Sequence, residues 1–300
     1  MPRSLTAQDR SSLIRLASSL PAGSAERKAI LAGLNRSGSW GSPWDYEPAR
    51  PGDYSRVVPP NLGPPVNIPN RHIQDSATVS DDAQVTDYAT VFGKASVSGR
   101  ARVFGRAKVY DNARISGDAL VYGDAKVFGR AKVYGNALVR GDALVYGDAK
   151  VFGDAQVSSD SHVYGNAQIS GNAEVSGGIV FGDAEVFGDA QVYNNPHISD
   201  NVKVYGRAVV ANRAKLSGNA KVFDTAQVSS DAQVSDNARV YEDARVSGNA
   251  EVSGKARVYG KAEVSGKARI GGTAVILGGK WDGSEGPVLS GKWLAPGVPA

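Results

Sequence analysis

Valine and alanine recur along this chain with a period of six. An aliphatic residue stands at every sixth position from Ile73 to Val175, and again from Val180 to Ile276 after one residue is missing. Ala follows four positions after almost every one, as in DALVYGDAKVFGRAKVYGNALV over residues 118–139. In A-x-V the two apolar residues are two apart, so on a strand they point to one side and their neighbours point away. Gly two places after the aliphatic, and Asp, Asn, Arg or Lys three places after, supply turn chemistry. Each hexad therefore predicts a short strand and a corner. A strand so short cannot bury its own face, so successive coils must stack.

The residue after each aliphatic sets the number of hexads per coil. Phe92, Tyr110, Phe128, Tyr146 and Tyr164 are 18 apart, and Phe181 continues the series across the missing residue. A second series, Phe187, Tyr205, Phe223, Tyr241 and Tyr259, has the same spacing, while Ser80, Ser98 and Ser116 hold intervening places. Three hexads per coil put each series into one vertical column. The result is a triangular prism of about 12 coils, roughly 55 Å long at ~4.8 Å per coil. Val and Ala fill its interior, and each buried Val is worth about 1.5–3 kcal/mol.

The hexad V-[YFS]-G-[DNRK]-A-x resembles the hexapeptide repeat of the left-handed β-helix proteins, which include many acyltransferases. The resemblance covers about two-thirds of the chain. It implies an all-β solenoid, a triangular left-handed β-helix; the hand comes from the resemblance, since right-handed crossovers are the general preference. It also implies a second function reading, an acyltransferase with acetyl-CoA as donor and a histidine as general base. The candidate bases are His162 in SSDSHVYGN and His197 in NNPHISD. Both take the outward slot before the aliphatic, on one side and ~10 Å apart by coil spacing. His72 falls on that side too, about five coils from His162. Such spacing does not gather three nitrogens on one metal, so no metal site is expected and the γ-carbonic anhydrase relatives are disfavoured. The acyltransferase relatives extrude loops to build their site, and this chain shows none of length. A rod without a cofactor is therefore the first reading.

The flanks differ from the repeat. Over residues 1–36 the pattern predicts an α-helical hairpin, a cap or docking element. Thr6 caps a helix with Leu13, Ile14, Leu16 and Ala17 as its stripe, and Ser24 caps another with Ile30, Leu31 and Leu34. The stretch LIRLASSLPAGSAERKAIL resembles leaders of some phage-encoded proteins. Residues 37–71 hold eight of the fourteen prolines, with Trp40 and Trp44, and read as an extended linker. Residues 72–278 are the solenoid. Residues 279–300 leave the pattern and carry Trp281 and Trp293 in GGKW and SGKW, which reads as a C-terminal cap. No cysteine is present, which removes disulfides and Cys-ligated zinc. The charge of +4 gives no bulk argument for nucleic acid. No basic segment precedes an apolar run, and no stretch approaches the roughly 20 apolar residues of a membrane helix. The expectation is a cytoplasmic or virion-associated protein without a membrane partner.

One outward strip stands out. Lys132, Lys150, Lys203, Lys221, Arg239 and Arg257 each precede an inward Val on one side, and Arg114 precedes Ile115 there. Tyr134, Phe152, Tyr205, Phe223, Tyr241 and Tyr259 follow those valines. Gln168 and Glu185 interrupt the cations midway. Such a strip predicts an interface for a protein partner or a second copy, or for an anionic polysaccharide with aromatics stacking on its sugars. The plainer alternative is a ladder that only stabilises stacked strands. Between Gly177 and Val202 the repeat loses a residue, Pro196 and Val202 replace Ala, and the aromatic series changes column. Such a break marks either a functional place or a tolerated slip.

Overall fold

A computed structural model describes residues 73–300. The hairpin read over residues 1–36, the linker over 37–71, Trp40, Trp44 and His72 lie outside the described residues. From Thr78 onward the chain winds through short strands, mostly two residues each, separated by corners. The strands form three sheets of 14, 12 and 11 strands; as far as Val275–Ile276 and Lys280–Trp281 they run parallel and each pairs with the third one along. The fold is an all-β solenoid of about 12 turns. Among the described residues there is no helix, and none long and apolar enough to cross a membrane.

The 14-stranded sheet starts at Thr78–Val79 and carries the basic column, so it is called the basic face. The 11-stranded sheet, from Thr90–Val91 to Arg269–Ile270, carries His162 and His197 and is called the histidine face. The 12-stranded sheet, from Gln84–Val85 to Lys280–Trp281, is the third face.

The alternation of burial follows from the pleat. Ala131, Val133, Ala149 and Val151 are buried, while Lys132 and Tyr134 between and after them face out. The backbone is satisfied from coil to coil: Lys132 N donates to Ala149 O at 2.9 Å and Tyr134 N to Val151 O at 3.0 Å. Ala is the inward residue beside most corners because space is short there. Replacing Ala125 by Leu should overpack the corner and cost about 1–3 kcal/mol. A thermal melt superimposable on that of the unaltered protein would contradict the inward packing.

Gly holds most corners in the left-handed region. Gly135 has φ of 73°, and a Cβ there would lie 3.0 Å from Gly153 N. Where Asp stands instead, its carboxylate takes an amide of the next coil. Asp200 (φ 57°) accepts from Gly218 N at 2.8 Å, and Asp236 (φ 58°) accepts from Gly254 N at 2.8 Å. Asp tolerates this backbone region better than other side chains, and the hydrogen bond offsets its cost.

The sheets continue past residue 278, where the six-residue period stops. Trp281 pairs with Val264 and takes an inward place, 2 % exposed, and Trp293 pairs with Ile276. The two rings meet edge to face with centroids 6.5 Å apart. Their indole N–H groups donate to Gly278 O and Ser290 O. Val298–Pro299 then pairs antiparallel with Lys292–Ala295 and ends the basic face with a proline, a residue suited to a sheet edge.

Candidate functional site

The basic column is one continuous ladder of pairings. Arg114, Lys132, Lys150, Gln168, Glu185, Lys203, Lys221, Arg239 and Arg257 are successive partners on adjacent strands. Glu185 binds Lys203 at 2.9 Å. The other six cations make no ion pair among the described residues. Like charges directly opposite on neighbouring strands repel. At ~5 Å in water each neighbouring pair costs under ~1 kcal/mol, small singly but repeated along the column. Burial raises the hydroxyls of Tyr205 and Tyr241 above the ordinary tyrosine range, while Arg239, close to both, pulls them the other way. Cation and aromatic columns are therefore electrostatic neighbours.

The rings do not present their faces. From Phe92 through Tyr110, Phe128, Tyr146 and Tyr164 to Phe181, consecutive centroids are 4.8–5.0 Å apart with near-parallel planes. Phe187, Tyr205, Phe223, Tyr241 and Tyr259 stack likewise at 4.7–4.9 Å, and Tyr134 stacks on Phe152 at 5.0 Å. Each ring inside a stack is covered above and below by its neighbours, and all are half-buried. An incoming sugar or base therefore meets ring edges, and the expected stacking on these aromatics has no open ring faces inside the ladders. Such pairs contribute about 0.5–1.5 kcal/mol each to the coil stack. A further stack on the third face, Phe104 with Tyr122 at 4.7 Å and Arg102 over Phe104 at 5.6 Å, escaped the sequence reading because it has only two members.

His162 and His197 share a column of the histidine face with Ile179 between them. His162 is half-buried and His197 exposed. Two coils separate them, so the structure does not bring the two imidazoles together. Among the described residues no group of three His, Asp or Glu side chains is placed to hold a metal ion.

The break lies at the corner between the third face and the histidine face. Both neighbouring sheets keep register through it: Val157, Val175 and Val192 pair in sequence, as do Val163, Val180 and Ile198. The corner absorbs the missing residue. Ser159, Asp160, Ser176, Gly177, Asn194 and Asn195 line a groove of about 310 Å³ there. Ser161, fully buried in the Ala place, accepts a hydrogen bond from Gly177 N at 2.8 Å.

A family model described as YdcK Beta solenoid repeat matches residues 107–123, 113–129 and 232–248. No curated protein matches the chain. The matched segments, carried in coils stacked as parallel sheets, make the chain a β-solenoid repeat protein.

Proposed function

We propose that the solenoid is a rigid scaffold whose basic face binds an extended anionic polysaccharide through its column of cations. The observation that carries this reading is the ladder itself. Three cations, Arg114 to Lys150, and four, Lys203 to Arg257, stand one per coil with a single carboxylate among them. Repulsion along such a row works against folding, and a linear polyanion relieves it at every rung. The covered ring faces favour a ligand held by charge over one held by base stacking. Ring edges and tyrosine hydroxyls then serve as hydrogen-bonding and packing partners beside the cations.

The test is a salt titration of heparin binding. Binding should weaken linearly on a log–log plot as salt rises, since each neutralised anion releases counterions. Lys221→Glu with Arg239→Glu should reduce affinity at least tenfold and flatten that slope. Lys108→Glu with Lys126→Glu makes the same change in net charge on the histidine face. It should leave most of the binding intact. Equal losses from the two double variants would show bulk charge at work and sink the reading.

A further inference from the structure

The aromatic column of the basic face lacks one rung. In chain order it holds Tyr134, Phe152, Ser170, Phe187, Tyr205, Phe223, Tyr241 and Tyr259, each following an inward residue paired to the next. Tyr134 covers Phe152 from one side at 5.0 Å, and Tyr205 covers Phe187 from the other at 4.9 Å. The facing sides of Phe152 and Phe187 have only Ser170 between them. Two coil heights separate these rings, about 10 Å. That is the space in which every other rung of the stack holds a ring about 5 Å from each neighbour. Elsewhere among the described residues the small corner residues run in series, as Ser199, Ser217, Ser235 and Ser253 do on the histidine face. Such a series uncovers one ring face at most. Ser170 is the place where a single small residue separates two stacks of one column.

The surrounding strands add polarity to this slot. Lys150 lies on the strand leading to Phe152, Gln168 on the strand leading to Ser170, and Glu185 on the strand leading to Phe187. Glu185 is engaged by Lys203 at 2.9 Å. Lys150 has no ion pair among the described residues, and the Gln168 amide can donate. We propose that the vacant rung over Ser170 is a binding site for one planar aromatic ring carrying an anionic group. The ring inserts between Phe152 and Phe187, and the anion lies toward Lys150 and Gln168. Stacking selects an aromatic ring, because a saturated one has no π face to set against the two phenyl faces. Charge selects the acid over the amine. The site shares Lys150 with the polyanion reading but stands or falls without it.

Ligand-observed fluorine NMR with 4-fluorophenylacetate and the full chain tests the site. The unaltered protein should broaden the ligand signal. Ser170→Tyr should fill the rung, weaken binding at least tenfold, and leave the thermal midpoint at or above that of the unaltered protein. Lys150→Gln should weaken binding several-fold, and 4-fluorobenzylamine should bind at least tenfold more weakly. Cyclohexylacetate should fail to compete. Three results overturn the proposal: undiminished binding to Ser170→Tyr, competition by cyclohexylacetate equal to that by phenylacetate, or a lower midpoint for Ser170→Tyr, which would show that the rung has no room for a ring.

Discussion

Ile169→Ala should destabilise the protein by about 2–5 kcal/mol, the usual range for emptying a buried Ile site. Ile169 is 0 % exposed and sits on the basic face between Val151 and Val186. In a solenoid each coil touches only its neighbours, so the cavity weakens the coil interfaces on both sides of one rung. Collapse around it is limited, because the flanking strands are pinned by Phe152 N donating to Ile169 O and Ser170 N donating to Val186 O. Urea unfolding should show the loss as a lower midpoint, and amide exchange should quicken first in the coils around residues 150–190. Ile169→Val returns the site to the commonest residue of the repeat and should cost about 0.5–1.5 kcal/mol. A midpoint unmoved by Ile169→Ala would mean that the side chain does not fill the interior.

Columns were legible in the sequence because the coil is a whole number of hexads: whatever lies 18 apart becomes a vertical neighbour. That rule placed Phe92 over Tyr110 and Lys203 over Lys221 without coordinates, and both pairs are found. It fails where the period itself slips. Trp281 stands 17 residues from its partner Val264, and Trp293 stands 17 from Ile276, so their inward and partly inward places were hidden behind a lost residue. Orientation was also hidden. A period says that Tyr205 and Phe223 adjoin, but only the 4.9 Å separation and 3° interplanar angle show that their faces are spent on each other. That geometry turns the aromatic strip from an expected stacking platform into a structural ladder, with cations beside it and one empty rung. His162 and His197 were correctly placed on one side by counting, but counting could not supply a cleft or a partner for either imidazole.

Ser161→Val should cost up to about 2–6 kcal/mol, because two separate effects add at one buried atom. In the regular coil this place is Ala. Here the hydroxyl of Ser161 lies 2.6 Å from Ser158 O, to which it donates, and accepts from Gly177 N at 2.8 Å. The missing residue creates that demand: with the corner shortened to Ser176-Gly177-Gly178, Gly177 N reaches Ser158 O only at 3.4 Å. Leaving a buried amide with only that long bond costs up to about 1–3 kcal/mol. The second methyl of Val adds overpacking of about 1–3 kcal/mol in a site built for Ala. No relief is open through Gly178, where even a Cβ would come within 3.1 Å of Val192 Cγ1. Ser161→Ala separates the two effects, since it removes the hydroxyl without adding bulk and should cost only the first. Amide exchange read by NMR gives the decisive signal: the Gly177 proton should exchange faster in Ser161→Ala, while Val163 N–H in the next strand stays protected. Exchange of Gly177 at its original rate would show that the hydroxyl does not hold this corner closed.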